Sequence, residues 1–298
     1  MRRRTEQTPD ASIKRSRPLL GTYVAIAVAG LSEADAVRAI ERGFAAIADI
    51  HRLMSFHEAD SDVSRVNRAA AGETIAVDPR TFTVLQQAAD LAADSGGIFD
   101  ITVAAELVAW GFLPVPGAAR APDPNATYQD IELIPSGHVR LARPLWVDLG
   151  GIAKGYAVDR ALQAMGLPSN IQCSVNAGGD LRVSGPDAER VLLRAPADGD
   201  AVPVLEIENA SVASSSGRDR LRQVSGRDVG PHLDGASRHG VGTQDFVSVV
   251  AEDCMVADAL TKIVLTEGSR ADDILKRHDA TAYLLKDGMG WQTIGVTN

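Results

Sequence analysis

The chain has 298 residues, 45% of them hydrophobic and 23% charged, which excludes a disordered or low-complexity protein and leaves room for a large core. Its 30 Lys and Arg against 39 Asp and Glu give a net charge of −9, which argues against nucleic acid or an anionic membrane as the main partner, so any anionic ligand must be met by local positive charge. No stretch reaches the roughly 20 apolar residues of a membrane span; Cys173 and Cys254 lie far apart without a CxxC or His-rich neighbour, so neither a disulfide framework nor a zinc site is indicated, and both read as core.

Arg2-Arg3-Arg4, Lys14, Arg15 and Arg17 precede the apolar run Leu19–Ala29, which ends in the small residues Ala27-Val28-Ala29. That pattern describes either an export leader or a β-branched strand entering a capped helix. Gly21, Thr22 and Tyr23 interrupt the run and favour the strand, hence a cytoplasmic protein, with export left open. Ser32 and Asp35 form a cap, and Val37, Ile40, Phe44 and Ile47 mark one face of a helix to about Leu53. Met54–His57 leaves that helix, and Ser61 caps a short turn carrying Val63 and Val66. Asp78-Pro79 starts a helix that Gly96-Gly97 stops. Ile98–Thr102 reads as a strand-like apolar entry with a carboxylate, Asp100, in its middle, costly unless paired or bonded to a ligand. A helix to Trp110 follows, then the Pro/Gly/Ala-rich loop 114–124, then IELI and HVRLA as a hairpin over Pro135-Ser136-Gly137.

Trp146–Leu149 reads as a short strand, Gly150-Gly151 as a tight turn, and Ile152 onward as a helix with Ala153, Ala157, Ala161 and Ala164 on one face. A strand passing through glycines into a helix offers free N–H groups and a positive dipole end to an anion, with Lys154 adding a formal charge and Asp148 and Asp159 flanking it. The same residues also describe an ordinary βα turn, and the spacing is that of neither a P-loop nor a dinucleotide fingerprint. Beyond the helix, Ile171–Asn176 and LRVSG read as strands around a second glycine turn, Gly178-Gly179, and Arg190–Arg194 and Val204–Ile207 as another pair. Ser211–Arg218 has three adjacent hydroxyls, able to wrap a polar ligand or to form a plain turn. His232 stands two residues from Asp234 in a loop. Phe246–Val250 is a strand and Cys254–Thr266 a helix carrying Asp258 and Thr261, hard oxygen ligands suited to Mg²⁺; the alternative for Asp258 is helix-dipole compensation. A helix near Arg270–Arg277 and the strand pair TAYLLK and WQTIG around Asp287-Gly288 close the chain. The shift from helix-rich to strand-rich favours α+β, with mixed or antiparallel sheets and helices on one side.

Together these segments resemble the ApbE family, flavin transferases that attach FMN from FAD to a protein threonine or serine. RPLLGT at Arg17–Thr22, MSFHEADSDVSRVN, GGIFDIT at Gly96–Thr102, VDLGGIAKGYAVD, NAGGD, ASSSG, the His232 loop and VADALTK at Val256–Lys262 arrive in the family's order. The resemblance implies an ApbE-like, T-fold-related domain over 17–298, as one domain or two interleaved lobes, after a flexible lead at 1–16. It implies FAD beside His57, Phe99, Asp100, Asp148, Lys154, Gly178, Gly179, Ser215 and Leu233. It further implies Mg²⁺ held by Asp258, Thr261 and the Gly151 carbonyl, Lys154 offsetting charge on the pyrophosphate, and His232 as general base. The implied partner is an acceptor flavoprotein with a Thr/Ser motif of the D-x-x-[ST]-G-A-T kind, and no such segment occurs in this chain. Three places depart from the family pattern: Leu20 stands at the methionine of the opening turn, the histidine loop reads HLDGASRHG, one residue shorter to the acid and without the usual Pro, and the position four residues after Asp258 is Lys262 where the family usually has Thr. A FAD pyrophosphatase and a non-catalytic flavin-binding or delivery protein are the alternative functions.

Overall fold

The computed structural model describes residues 12–117, 119–193, 202–217, 221–242, 244–286 and 289–296. Ile13–Leu19 (β1) and Thr22–Ala29 (β2) form an antiparallel hairpin, so residues 13–16 of the expected lead belong to a strand, and residues 1–11 lie outside the described ones. β1 puts Lys14, Arg15 and Arg17 on an exposed sheet edge, a composition that opposes edge-to-edge pairing. β2 alternates, with Val24, Ile26 and Val28 buried and Tyr23 74% exposed. Leu19–Ala29 is thus built into the core, and cleavage after Ala29 would strip two strands from the sheet.

Helix α1 (Glu33–Met54) starts where the Ser32 hydroxyl accepts the Asp35 N–H, and buries Ala36, Ile40, Phe44, Ile47 and Ile50 along one stripe. α2 (Asp62–Arg68) is capped by Ser61; β3 (Thr74–Ala76) follows, then α3 (Pro79–Asp94), capped by Asp78 with proline at its start. Ile98–Thr102 is not the expected strand. Asp100 instead caps a 3-10 turn, Ile101–Val103, that leads into α4 (Ala104–Ala109). β4 (Ile131–Ile134) and β5 (His138–Leu141) pair as expected, with β3 on the far side of β5.

Trp146–Leu149 is not a strand either. The Asn67 side chain accepts the Val147 N–H at 2.7 Å and donates to the Val147 carbonyl at 3.0 Å, and the Asp148 N–H donates to the Ile101 carbonyl at 2.8 Å. With these groups satisfied by a side chain and a loop, the segment needs no ladder. α5 (Ala153–Met165) comes next, then β6 (Gln172–Ala177) and β7 (Asp180–Ser184), joined by Gly178-Gly179 at φ 67° and 110°, the left-handed pair that a two-residue hairpin turn requires. β8 (Glu189–Leu192) and β9 (Val204–Ile207) form their own ladder. Ser211–Ser216 is β10 rather than a turn, with the hydroxyls of Ser211, Ser214 and Ser215 engaged by the Glu252 carbonyl, Ser248 and Thr261. After the small ladder of β11 (Arg222–Val224) and β12 (Arg227–Val229) come β13 (Phe246–Ala251), α6 (Cys254–Glu267), α7 (Asp272–Arg277) and the hairpin of β14 (Thr281–Lys286) with β15 (Gly290–Gly295). Arg194, Arg218, Asp287 and Gly288, named from sequence, lie outside the described residues.

The main sheet runs β1-β2-β6-β7-β10-β13-β14-β15, with every neighbouring pair antiparallel. The fold is therefore α+β, as the pattern indicates. α1, α5 and α6 share one apolar cluster with Val24, Val175, Val249 and Ala282 on one face of the sheet. Leu181, Val183 and Val212 point to the other face, where Leu193, Leu205 and Ile207 cover them. α5 and α6 touch at Gly155, where a Cβ would stand 2.2 Å from the Cys254 carbonyl oxygen. Among the described residues no helix is long and apolar enough to cross a membrane.

Candidate active site

A cleft of about 830 Å³ opens between the end of α1, the entry to α5, the Gly178-Gly179 turn and the Pro231-His232 loop. Of the residues singled out from sequence, His57, Asp148, Lys154, Gly178, Gly179, Ser215 and His232 line it, and Lys262 joins them. Leu181, Val191, Leu193, Val212 and Phe246 give it an apolar wall, the combination of apolar lining and a few convergent polar groups that small-molecule sites use.

The polar end is built by two helices that exchange carboxylates at their N-termini. Asp258, on α6, accepts the Gly155 N–H of α5 at 3.2 Å. Asp159, on α5, accepts the Cys254 and Met255 N–H groups of α6 at 3.0 and 2.9 Å and pairs with Arg182. Each acid sits at the positive end of its neighbour's dipole, so Asp159 faces α6 rather than a ligand, and the start of α5 is met by Asp258 rather than standing open to an anion. Lys154 is ion-paired with Asp180 and with Asp258, the latter at 3.4 Å. Lys262 is ion-paired with the same Asp258 carboxylate and donates to the Asp258 carbonyl at 2.9 Å.

These contacts set the protonation states. Burial raises the Asp258 pKa, but the two ammonium groups outweigh it and hold the carboxyl well below the usual range. Burial opposes the charge on Lys154 too, yet Asp180 and Asp258 keep its pKa above that of a free lysine. Asp180, buried beside Asp258, is raised. Burial also raises Asp148, against the Gly150 N–H and the nearby His57 and Lys262. His232 is pushed down to about 3 by burial and then by the Lys262 charge, so its imidazole is neutral at neutral pH.

Six of the expected site residues, Phe99, Asp100, Gly151, Leu233, Asp258 and Thr261, are not among those that line the cleft. Asp100 accepts the Thr102 N–H and hydroxyl at 2.8 Å each and pairs with Arg238 at 3.1 Å, tying the Gly97–Thr102 loop to the loop after His232. Phe99 and Leu233 are buried. Thr261 gives its hydroxyl to the Asp258 carbonyl at 2.6 Å and shares a bond with Ser215 at 2.8 Å. Gly151 lies close by, its Cβ direction 3.5 Å from Lys262 Cε and 3.6 Å from the Phe99 ring. Two residues absent from the expected set are central here: Asp180, whose signal is the acid that ends NAGGD, and Lys262, whose signal is its place one helical turn after Asp258.

A sequence profile of the ApbE family matches residues 20–285. The chain belongs to the ApbE family. The FAD:protein FMN transferase of Klebsiella pneumoniae is 25% identical over 92% of this chain and 84% of that one. Its namesake from Rhodobacter capsulatus is 29% identical over 89% of this chain and 53% of that one. Among solved structures, the ApbE protein of Thermotoga maritima superposes with a TM-score of 0.82 at 25% identity, covering 95% of this chain and 96% of that one. The flavin transferase ApbE of Vibrio cholerae, 23% identical, shares the fold at a TM-score of 0.80 over 96% and 97% of the two chains.

The ApbE resemblance implies a divalent cation on Asp258, Thr261 and Gly151, and the donor set tests that directly. Both carboxylate oxygens of Asp258 are taken, one by Lys262 and the other by Lys154 and Gly155. Its carbonyl takes Lys262 and Thr261. As arranged, these residues fit an ammonium and not a six-coordinate Mg²⁺.

Proposed function

We propose that the chain transfers FMN from FAD to a Ser or Thr hydroxyl of a separate acceptor protein and releases AMP. The observation that carries this reading is the pair of ammonium groups, Lys154 and Lys262, at the polar end of a cleft whose other wall is apolar. A dinucleotide with a dianionic pyrophosphate and two flat ring systems matches that division, and relatives over most of the chain carry the name FAD:protein FMN transferase. The acceptor hydroxyl attacks the FMN phosphorus in line, the bond from that phosphorus to the bridging oxygen breaks, and the electron pair leaves with AMP. The hydroxyl proton goes to His232, which is neutral and able to accept it. Burial first, and the Lys262 charge second, make that imidazole a weak base in the free protein; a bound pyrophosphate offsets the lysine charge and raises its basicity when it is needed. Lys154 and Lys262 offset charge on the phosphoryl oxygens and the leaving group. Lys262 already engages the Asp258 oxygens that would hold the Mg²⁺ implied by the family resemblance. A cytoplasmic location fits this function, since the run at Leu19–Ala29 is built into the sheet.

The test is AMP formation from FAD with and without an acceptor peptide of the D-x-x-[ST]-G-A-T kind. AMP that appears only with the peptide, mole for mole with flavinylated product, supports transfer. AMP and free FMN at the same rate without peptide support the pyrophosphatase instead.

A further inference from the structure

Lys262 stands one helical turn after Asp258, and its contacts say what it does there. We propose that the Lys262 ammonium is a built-in replacement for a divalent cation on Asp258, so that this chain binds and cleaves the pyrophosphate of FAD without a metal ion. The inference rests on the FAD reading above.

The oxygen atoms of Asp258 itself are each engaged, while on the neighbouring carboxylate Asp180 Oδ1 is buried without a hydrogen-bond partner among the described residues. Lys262 holds one carboxylate oxygen and the main-chain carbonyl of Asp258, a chelate closed within one helical turn. Lys154 and the Gly155 N–H hold the other carboxylate oxygen at 3.4 and 3.2 Å. Thr261, the other side-chain donor at hand, spends its hydroxyl on the same carbonyl and on Ser215. Mg²⁺ demands oxygen ligands at about 2.0–2.1 Å in near-octahedral array. It could reach this carboxylate only by expelling Lys262, whose side chain is 15% exposed and whose Cε lies beside Gly151, so the displaced charge would stay close and repel the dication. Lys154 and Lys262 already balance the Asp258 and Asp180 carboxylates, leaving no net negative charge to draw a dication. Among the described residues no three His, Cys, Asp or Glu side chains converge on an alternative metal position. Lys154 and Lys262 both line the cleft, so each can present ammonium N–H donors to pyrophosphate oxygens while Asp180 and Asp258 hold the two side chains in place.

The test uses the full chain after chelator treatment. Mn²⁺ is titrated and followed by electron paramagnetic resonance, FAD binding is followed by flavin fluorescence in EDTA and in Mg²⁺, and AMP formation in the presence of the acceptor peptide is followed under the same two conditions. The expected result is an undiminished free Mn²⁺ signal, with FAD affinity and AMP formation the same within about twofold in EDTA and in Mg²⁺. Lys262→Thr is expected to acquire a Mn²⁺ site and to make FAD affinity depend on Mg²⁺ by about tenfold or more. Stoichiometric Mn²⁺ binding by the wild-type chain, or a tenfold gain in its FAD affinity on adding Mg²⁺, overturns the proposal. Should Lys262→Thr fail to fold, the wild-type titration decides alone. Failure to form AMP under any condition counts against the transfer reading, while the Mn²⁺ titration still decides the role of Lys262.

Discussion

His232 is where the chemistry and the electrostatics of this protein meet. The unfolded chain takes up the imidazole proton near 6.5, the native chain only at about 3. Between those values the unfolded state holds more protons than the native one, so stability is full above about 6.5 and falls as pH drops through the window, by at most about 1.4 kcal/mol per pH unit from this group. His232→Gln should therefore flatten the stability–pH slope between 6.5 and 3, measured by urea melts across that range; an unchanged slope contradicts the assignment. His232→Ala should lower flavin transfer by about 10²–10⁴-fold while leaving FAD binding within a few-fold, and a variant that transfers at full rate rules it out as the base. Lys154 is different in kind, because it neutralises two buried acids. Lys154→Met leaves Asp180 short of its cation and Asp258 with Lys262 alone, and should cost roughly 3–5 kcal/mol of stability as well as FAD affinity, so its activity is read only at a temperature where a melt shows it folded.

Short-range signals made most of the elements legible and hid the few that long-range contacts decide. Ser32, Ser61 and Asp78-Pro79 mark helix starts because a cap and the N–H it satisfies lie within three residues of each other. Trp146–Leu149 looks like a strand until Asn67, 80 residues earlier, takes both polar groups of Val147. Asn67→Ala leaves that N–H and carbonyl buried and unpaired, and should cost roughly 2–4 kcal/mol, seen as a lower urea midpoint; a loss below about 0.5 kcal/mol would mean the segment finds other partners. Ser211–Ser216 reads as a turn because serines are common in turns, yet it is a central strand whose hydroxyls are answered by Glu252, Ser248 and Thr261 from later elements. The α5–α6 contact carries its own prediction. A Cβ on Gly155 would overlap the Cys254 carbonyl, so Gly155→Ala should destabilise by about 1–3 kcal/mol or more and, by separating Lys154 from Asp258, weaken FAD binding together with stability.

Taken whole, an acidic chain of −9 gathers two lysines at one end of a cleft and supports them with buried acids from β7 and α6. The α+β order and the second glycine turn could be read from local signals, while the seven cleft residues are gathered by the order of motifs that resembles the ApbE family. The pairing of Lys154 with Asp258 spans 104 positions, so only the folded chain shows that Lys262 shares that carboxylate. The sequence places a lysine one turn after Asp258; it does not show that this lysine sits on the Asp258 carboxylate. The central claim, FMN transfer from FAD to a hydroxyl through this cleft, is tested most directly by the intact mass of an acceptor domain after incubation with the protein and FAD. The account predicts a gain of one FMN unit, abolished by changing the acceptor Ser or Thr to Ala and lost with the His232→Ala protein. An acceptor of unchanged mass alongside FAD fully converted to free FMN and AMP would contradict it.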